Sequence, residues 1–156
     1  MPNWIEGTLK LRGSTENLKR FFTDFLGSPS YGIKPEKPIE ELVETNFEST
    51  ERWHEVDIKG LTYIKGTIRA FLDPCEVYWE GEQGTIALSV RQAWAFVPEE
   101  FAAISKECEL DVRLFGFECG MEFCQEVEII GGEVIFDNVI RYDDWTWECP
   151  MPHLGG

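Results

Sequence analysis

Five glutamates, Glu40, Glu44, Glu48, Glu51 and Glu55, recur at steps of 4, 4, 3 and 4. On a helix that spacing brings all five onto one face. Like charges so placed weaken a helix by about 0.2–0.5 kcal/mol per pair. Between Glu36 and Asp57 eight acidic residues stand against two basic ones, Lys37 and Arg52. Such a stripe can imitate a row of phosphates and dock on a basic nucleic-acid-binding protein; the plainer alternative is a solvated face. Trp53, Trp145 and Trp147 are the indoles expected to flank that contact, because indoles anchor interfaces. Trp4, Trp79 and Trp94 are assigned to the core or its margin.

A second acidic set, Glu118, Glu122, Glu126 and Glu128, shares strand parity and would line one sheet face near Trp94. Paired carboxylates do acid–base work or hold a hard cation such as Mg2+ or Ca2+. No EF-hand loop accompanies them, and no Lys or His stands among them. Exposed sheet acids are the plainer reading.

Nucleophilic chemistry finds little support. The five cysteines, Cys75, Cys108, Cys119, Cys124 and Cys149, are an odd number without a CxxC pair. They read as small buried hydrophobes of a reducing compartment rather than a zinc site or a disulfide framework. A Cys–His pair would need the fold to join Cys149 with His54, or with His153 in an irregular tail. No Gly-rich turn joins a strand to a helix as phosphate binding requires.

Placing these groups is the task of one domain spanning residues 1–156. Hydrophobic residues make up 43% and aromatics 13%, enough for a packed core. The net charge of −15 repels nucleic-acid backbones and anionic lipid, leaving basic proteins and cations as partners. The aromatics on the expected sheet are therefore not read as an RNA-binding platform. No apolar run is long enough to span a membrane, and the start Met-Pro-Asn-Trp-Ile-Glu-Gly is unlike a signal peptide. A cytoplasmic protein is expected.

Ile5–Arg12 alternates apolar and polar side chains, and Gly13-Ser14 leads into a helical stripe of Leu18, Phe21, Phe22, Phe25 and Leu26. Residues 27–60 read as a loop with an acidic insertion; whether 39–57 forms one helix or two pieces stays open. Leu61–Leu72 is rich in β-branched and aromatic residues and predicts one strand. Val77–Trp79 and Thr85–Gln92 follow, then a helix opened by Pro98, Glu99 and Glu100. Leu110–Phe117 and Phe123–Ile130 are strands, and Gly131-Gly132 predicts a tight hairpin to Val134–Ile140. Residues 143–156 read as an irregular tail packed by its indoles. The order strand, helix, strand, strand, helix, strand predicts an α+β, ferredoxin-like βαββαβ antiparallel sheet. Two helices would lie on one face, with a C-terminal β-hairpin extension and an acidic middle insertion.

Two stretches resemble the YubB-type ferredoxin-like family of small phage- and plasmid-encoded proteins. One is Met1-Pro-Asn-Trp4 with its strand, Gly13 and helix. The other is Thr85-Ile-Ala-Leu-Ser-Val-Arg-Gln-Ala-Trp94 through Val97-Pro98, continuing to Glu118, Gly120-Met121, Phe123 and Glu126-Val127-Glu128. The chain departs from that family at Ile5, where a small residue is usual, and lacks its Lys-Trp element. The resemblance implies the fold and a mobile-element setting in a bacterial host.

A non-enzymatic accessory protein is therefore expected, without metal or cofactor, that binds a basic host protein. An anti-CRISPR-like inhibitor of a nucleic-acid-binding nuclease is its concrete form. The alternatives are a metal-dependent enzyme using the sheet carboxylates, and a structural module that pairs through a sheet edge into a homodimer.

Overall fold

The structure, a computed structural model, describes residues 2–28, 43–47 and 52–156. Its dominant feature is an eight-stranded sheet. Strand β1 (Trp4–Ser14) runs between β8 (Gln83–Ala93) and β9 (Asp111–Glu118), antiparallel to both. Outside β9 lie β10 (Phe123–Ile130) and β11 (Glu133–Ile140). Outside β8 lie β6 (Ala70–Leu72), β5 (Thr62–Ile64) and the two-residue β2 (Leu26–Gly27). The order is thus β11-β10-β9-β1-β8-β6-β5-β2. A separate three-stranded sheet has β4 (Trp53–Ile58) between β3 (Val43–Phe47) and β7 (Cys75–Glu80).

Alternation dictates which face of β1 is buried. Ile5, Leu9 and Leu11 are sealed in the core, while Lys10 and Arg12 are exposed. Gly7 sits in this row opposite Gly116, where a Cβ would lie 1.9 Å from the Phe115 carbonyl oxygen. At Gly116 a Cβ would meet the Phe96 ring at 2.5 Å. The strands approach closely at this pair because neither carries a side chain.

Helix α1 (Thr15–Asp24) starts where Ser14 Oγ accepts from the Asn17 backbone N–H at 3.1 Å. It buries Leu18, Phe21 and Phe22. Helix α2 (Pro98–Cys108) has Pro at its start and acids in its first turn. It ends at Glu109, left-handed at φ 54°, and Ser105 O accepts from the Leu110 N–H. Phe101, Ile104 and Cys108 join the core from α2. One hydrophobic cluster runs through α1, α2, the large sheet and the inner side of the small one.

The fold is mostly β and is not the ferredoxin-like βαββαβ arrangement. After α1 the chain does not return as one strand beside β8. It forms β2, diverts into the small sheet, and completes the large sheet with the short hairpin β5–β6. Leu61–Leu72 breaks into those two strands because Gly66 (φ 85°) and Arg69 (φ 52°) turn left-handed between them. Nor is the described part of 39–57 helical: β3 and β4 lie there. Period-two alternation in Trp53-His-Glu-Val-Asp-Ile buries His54, Val56 and Ile58, and that burial outweighs the helical spacing of the glutamates.

The C-terminal segment covers the other face of the large sheet at one end. There α3 (Trp145–Glu148) brings Trp145 and Cys149 against Phe117 and Cys124, with Leu154 alongside. Among the described residues no helix is long and apolar enough to cross a membrane.

Candidate functional site

The outer side of the small sheet gathers the groups most able to engage another molecule. Along β4, Trp53, Glu55 and Asp57 point away from the core, alternating with buried His54, Val56 and Ile58. Along β7, Glu76, Tyr78 and Glu80 do the same, alternating with Val77 and Trp79. Strand register puts Trp53 opposite Glu80, Glu55 opposite Tyr78, and Asp57 opposite Glu76. Glu44 on β3 lies across from Asp57. Glu55 and Asp57 are therefore about 7 Å apart along β4, and Asp57 lies about 5 Å from Glu44 and Glu76 across the strands.

Two exposed aromatics interrupt the acids. Trp53 is 39% exposed and Tyr78 46%, and their ring centroids are 5.7 Å apart at 32°. Tyr78 Oη donates to Glu76 Oε2 at 2.7 Å. That hydrogen bond, followed by desolvation and the Glu55 charge, pushes the phenol up to about 12. The described cations at this face are Lys59, which pairs with Glu44, and Arg52 at the Trp53 end, whose carbonyl accepts from the Gly81 N–H. The side-chain bond from Glu44 is the main cause that raises the Lys59 pKa.

The inner side fastens this sheet to α1. Trp79 Nε1 donates to Thr15 Oγ1 at 2.8 Å, and Thr15 Oγ1 donates to the Gly81 carbonyl at 2.6 Å. The Thr15 backbone N–H donates to Glu82 O. His54 Nε2 meets the Gly81 carbonyl at 3.0 Å, with its ring 5.2 Å from that of Trp79. The acidic face therefore stands on an anchored sheet, a footing that suits a binding surface.

Several arginines elsewhere pair with acids. On the outer face of the large sheet, Arg12 meets Asp111 and Arg113 meets Glu126, both at 2.7 Å. Arg91 binds Asp73 at 2.7 Å.

Of the residues singled out in the sequence, Glu44, Trp53 and Glu55 come together on the acidic face. They do so as neighbours in a β-sheet, so the single helical stripe does not exist. Glu40, Glu48 and Glu51 lie outside the described residues. Trp145 is not a contact residue: it is buried, and its Nε1 donates to Pro152 O at 2.9 Å. Trp147 is 85% exposed but sits on α3, away from this sheet. Trp94, assigned to the core margin, is turned outward. Its backbone is left-handed (φ 72°) and its N–H donates to Asn3 O. Asp57, Glu76, Tyr78 and Glu80 were missed; the alternation in Glu76-Val-Tyr-Trp-Glu80 was the available signal.

The second acidic set is not one cluster. Glu118 is buried and accepts from the backbone N–H groups of Gly120 and Met121 at 2.7 and 2.8 Å, closing the β9–β10 turn. Glu122 lies in that turn at φ 55°. Glu126 and Glu128 face the opposite side and flank Arg113. Among the described residues no three His, Cys, Asp or Glu side chains are placed to hold a metal ion. His54 meets the Gly81 carbonyl beneath the small sheet, whereas Cys149 packs with Phe117 and Cys124, so the two form no dyad.

No protein-family model matches the chain, and neither a curated protein nor a solved structure is detectably similar to it.

Proposed function

We propose that this protein acts by binding a basic protein of the bacterial cytoplasm through the outer face of β3–β4–β7, without catalysis of its own. One observation carries the reading. Glu44, Glu55, Asp57, Glu76 and Glu80 share a face with the exposed Trp53–Tyr78 pair, with Lys59 bridged to Glu44. Carboxylates steer a cationic surface into place, and the two rings supply the apolar contact that charge alone lacks. The net charge of −15 adds a long-range attraction for the same partner class.

In its concrete form, the partner is a nucleic-acid-binding nuclease of a host defence system, and the face competes with DNA or guide RNA for a positively charged channel. That setting rests on the two short stretches that resemble YubB-type proteins of phages and plasmids, and not on the fold. The test is DNA cleavage by a panel of purified RNA-guided nucleases, with and without the protein. Inhibition is expected for at least one enzyme, weakening as salt rises. Replacing Glu55, Asp57, Glu76 and Glu80 by their amides should raise the half-inhibitory concentration on the order of tenfold or more. Inhibition insensitive to both changes would reject the acidic face as its source.

A further inference from the structure

Strand β11 is an open edge. Among the described residues it pairs with β10 alone, so its outward N–H and C=O groups meet no strand. Ile135 and Val139 are more than half exposed, and Val134 and Phe136 only slightly less. The strand carries neither lysine nor proline; the bulge at Ile135 and the inward carboxylate of Asp137, held by Gln125 Nε2, are its edge-blunting features and leave Phe136–Ile140 to pair. The opposite edge, β2, is only two residues long.

We propose that β11 pairs antiparallel with β11 of a second copy of this chain, joining two eight-stranded sheets across a two-fold axis. This rests on the edge strand and not on the acidic face. Register decides the occupant. The bulge at Ile135 leaves Phe136–Ile140 as the regular stretch. Within it Phe136, Asn138 and Ile140 share one face with Glu128, Glu126 and Cys124 of β10, while Asp137 and Val139 share the other. A two-fold perpendicular to the sheet pairs residues of like face. Centred on Asn138, it sets Phe136 against Ile140, Asp137 against Val139, and Asn138 against itself. No acid then opposes an acid, and the two carboxamides can each donate to the other. Centring on Asp137 would oppose two carboxylates, and centring on Val139 would pair only three strand residues. The self-paired edge covers its own apolar side chains, which an extended basic segment without a matching apolar row would not.

The acidic faces stay free in this dimer. Four strand spacings, about 19 Å, separate β11 from β8, the strand that follows β7. Two chains of charge −15 repel, so added salt should strengthen self-association. Binding of a basic partner should weaken under the same change, and the two effects are separable by sign.

Light scattering on the full chain over a wide concentration range tests the proposal. The expected mass is twice that of the 18.0 kDa chain, favoured by salt. Phe136→Lys and Val139→Lys each charge the edge and should return the one-chain mass, with circular dichroism and melting unchanged. Trp53→Ala, on the acidic face, should remain dimeric. Asn138→Asp sets like charge against like charge at the axis and should raise the dimer dissociation constant at neutral pH by roughly tenfold or more. A one-chain mass for the unaltered protein would overturn the proposal, whether or not β11 then captured a basic peptide. So would dimers indifferent to both lysine substitutions, and unchanged affinity of Asn138→Asp would overturn the register.

Discussion

The Thr15 hydroxyl is the smallest part on which the acidic face depends. It accepts from the Trp79 indole and donates to the Gly81 carbonyl, so it ties β7 and its turn to the start of α1. Thr15→Val keeps the shape but leaves the buried Trp79 indole N–H without its acceptor, while the Gly81 carbonyl keeps His54. A loss of about 1–3 kcal/mol in urea unfolding is expected, because a buried polar group without a partner bears its full desolvation cost. A change of only a few tenths would show that the knot is not structural. The thiols give a second residue-scale expectation. Burial, followed by the neighbouring Cys149, pushes Cys124 up to about 12. Burial pushes Cys108 up to about 11 despite Arg20, and raises Cys75 as well. A thiol whose folded pKa is raised contributes fully below its unfolded value, near 9. Its contribution is lost as pH climbs through the interval toward the folded values, since the unfolded chain then releases the proton more readily. The melting temperature should therefore fall as pH rises above about 9, and less steeply in Cys108→Ala than in the parent relative to its own neutral-pH value. A flat profile would contradict the placement of these thiols.

Elements whose pattern is local were legible in the sequence. Strand β1 alternates over its length, Ser14 caps α1, Pro98 opens α2, and Gly131-Gly132 turns β10 into β11. The middle of the chain was not legible, because two periodicities compete there. Glu44, Glu51 and Glu55 fit a helix, while Trp53-His-Glu-Val-Asp-Ile fits a strand. What decides is the burial of His54, Val56 and Ile58 against Trp79 and α1, which no local pattern reveals. The candidate face divides in the same way: Glu44, Trp53 and Glu55 could be named from the sequence. Asp57, Glu76, Tyr78 and Glu80 join them only through the pairing of β4 with β7, strands separated by the whole β5–β6 hairpin. The C-terminal segment offers a clean test of packing at this scale. Trp145 fills a pocket against Phe117, Cys124 and Cys149, whereas Trp147 lies in solvent. Trp145→Ala should cost about 3–5 kcal/mol in denaturant unfolding, and Trp147→Ala about 0.5 kcal/mol or less. Equal effects would mean that the segment does not pack as described.

Across the whole molecule, charge and strand edges are arranged unequally. Arginines on the large sheet are matched by nearby acids, while the small sheet presents Glu55, Asp57, Glu76 and Glu80 with Lys59 bridged to Glu44. The net charge of −15 is the excess left after such pairing, and Glu55, Asp57, Glu76 and Glu80 hold part of it on one outward face beside two aromatic rings. On the proposed reading, a cationic polypeptide binds that face. Titration of an arginine- and lysine-rich peptide into isotope-labelled protein, followed by backbone amide shifts, tests this most directly. Shifts concentrated along β4 and β7, and absent when Glu55, Asp57, Glu76 and Glu80 are replaced by amides, are the predicted result. Shifts spread evenly over the molecule, or gathered on the outer face of β8 and β9, would contradict it.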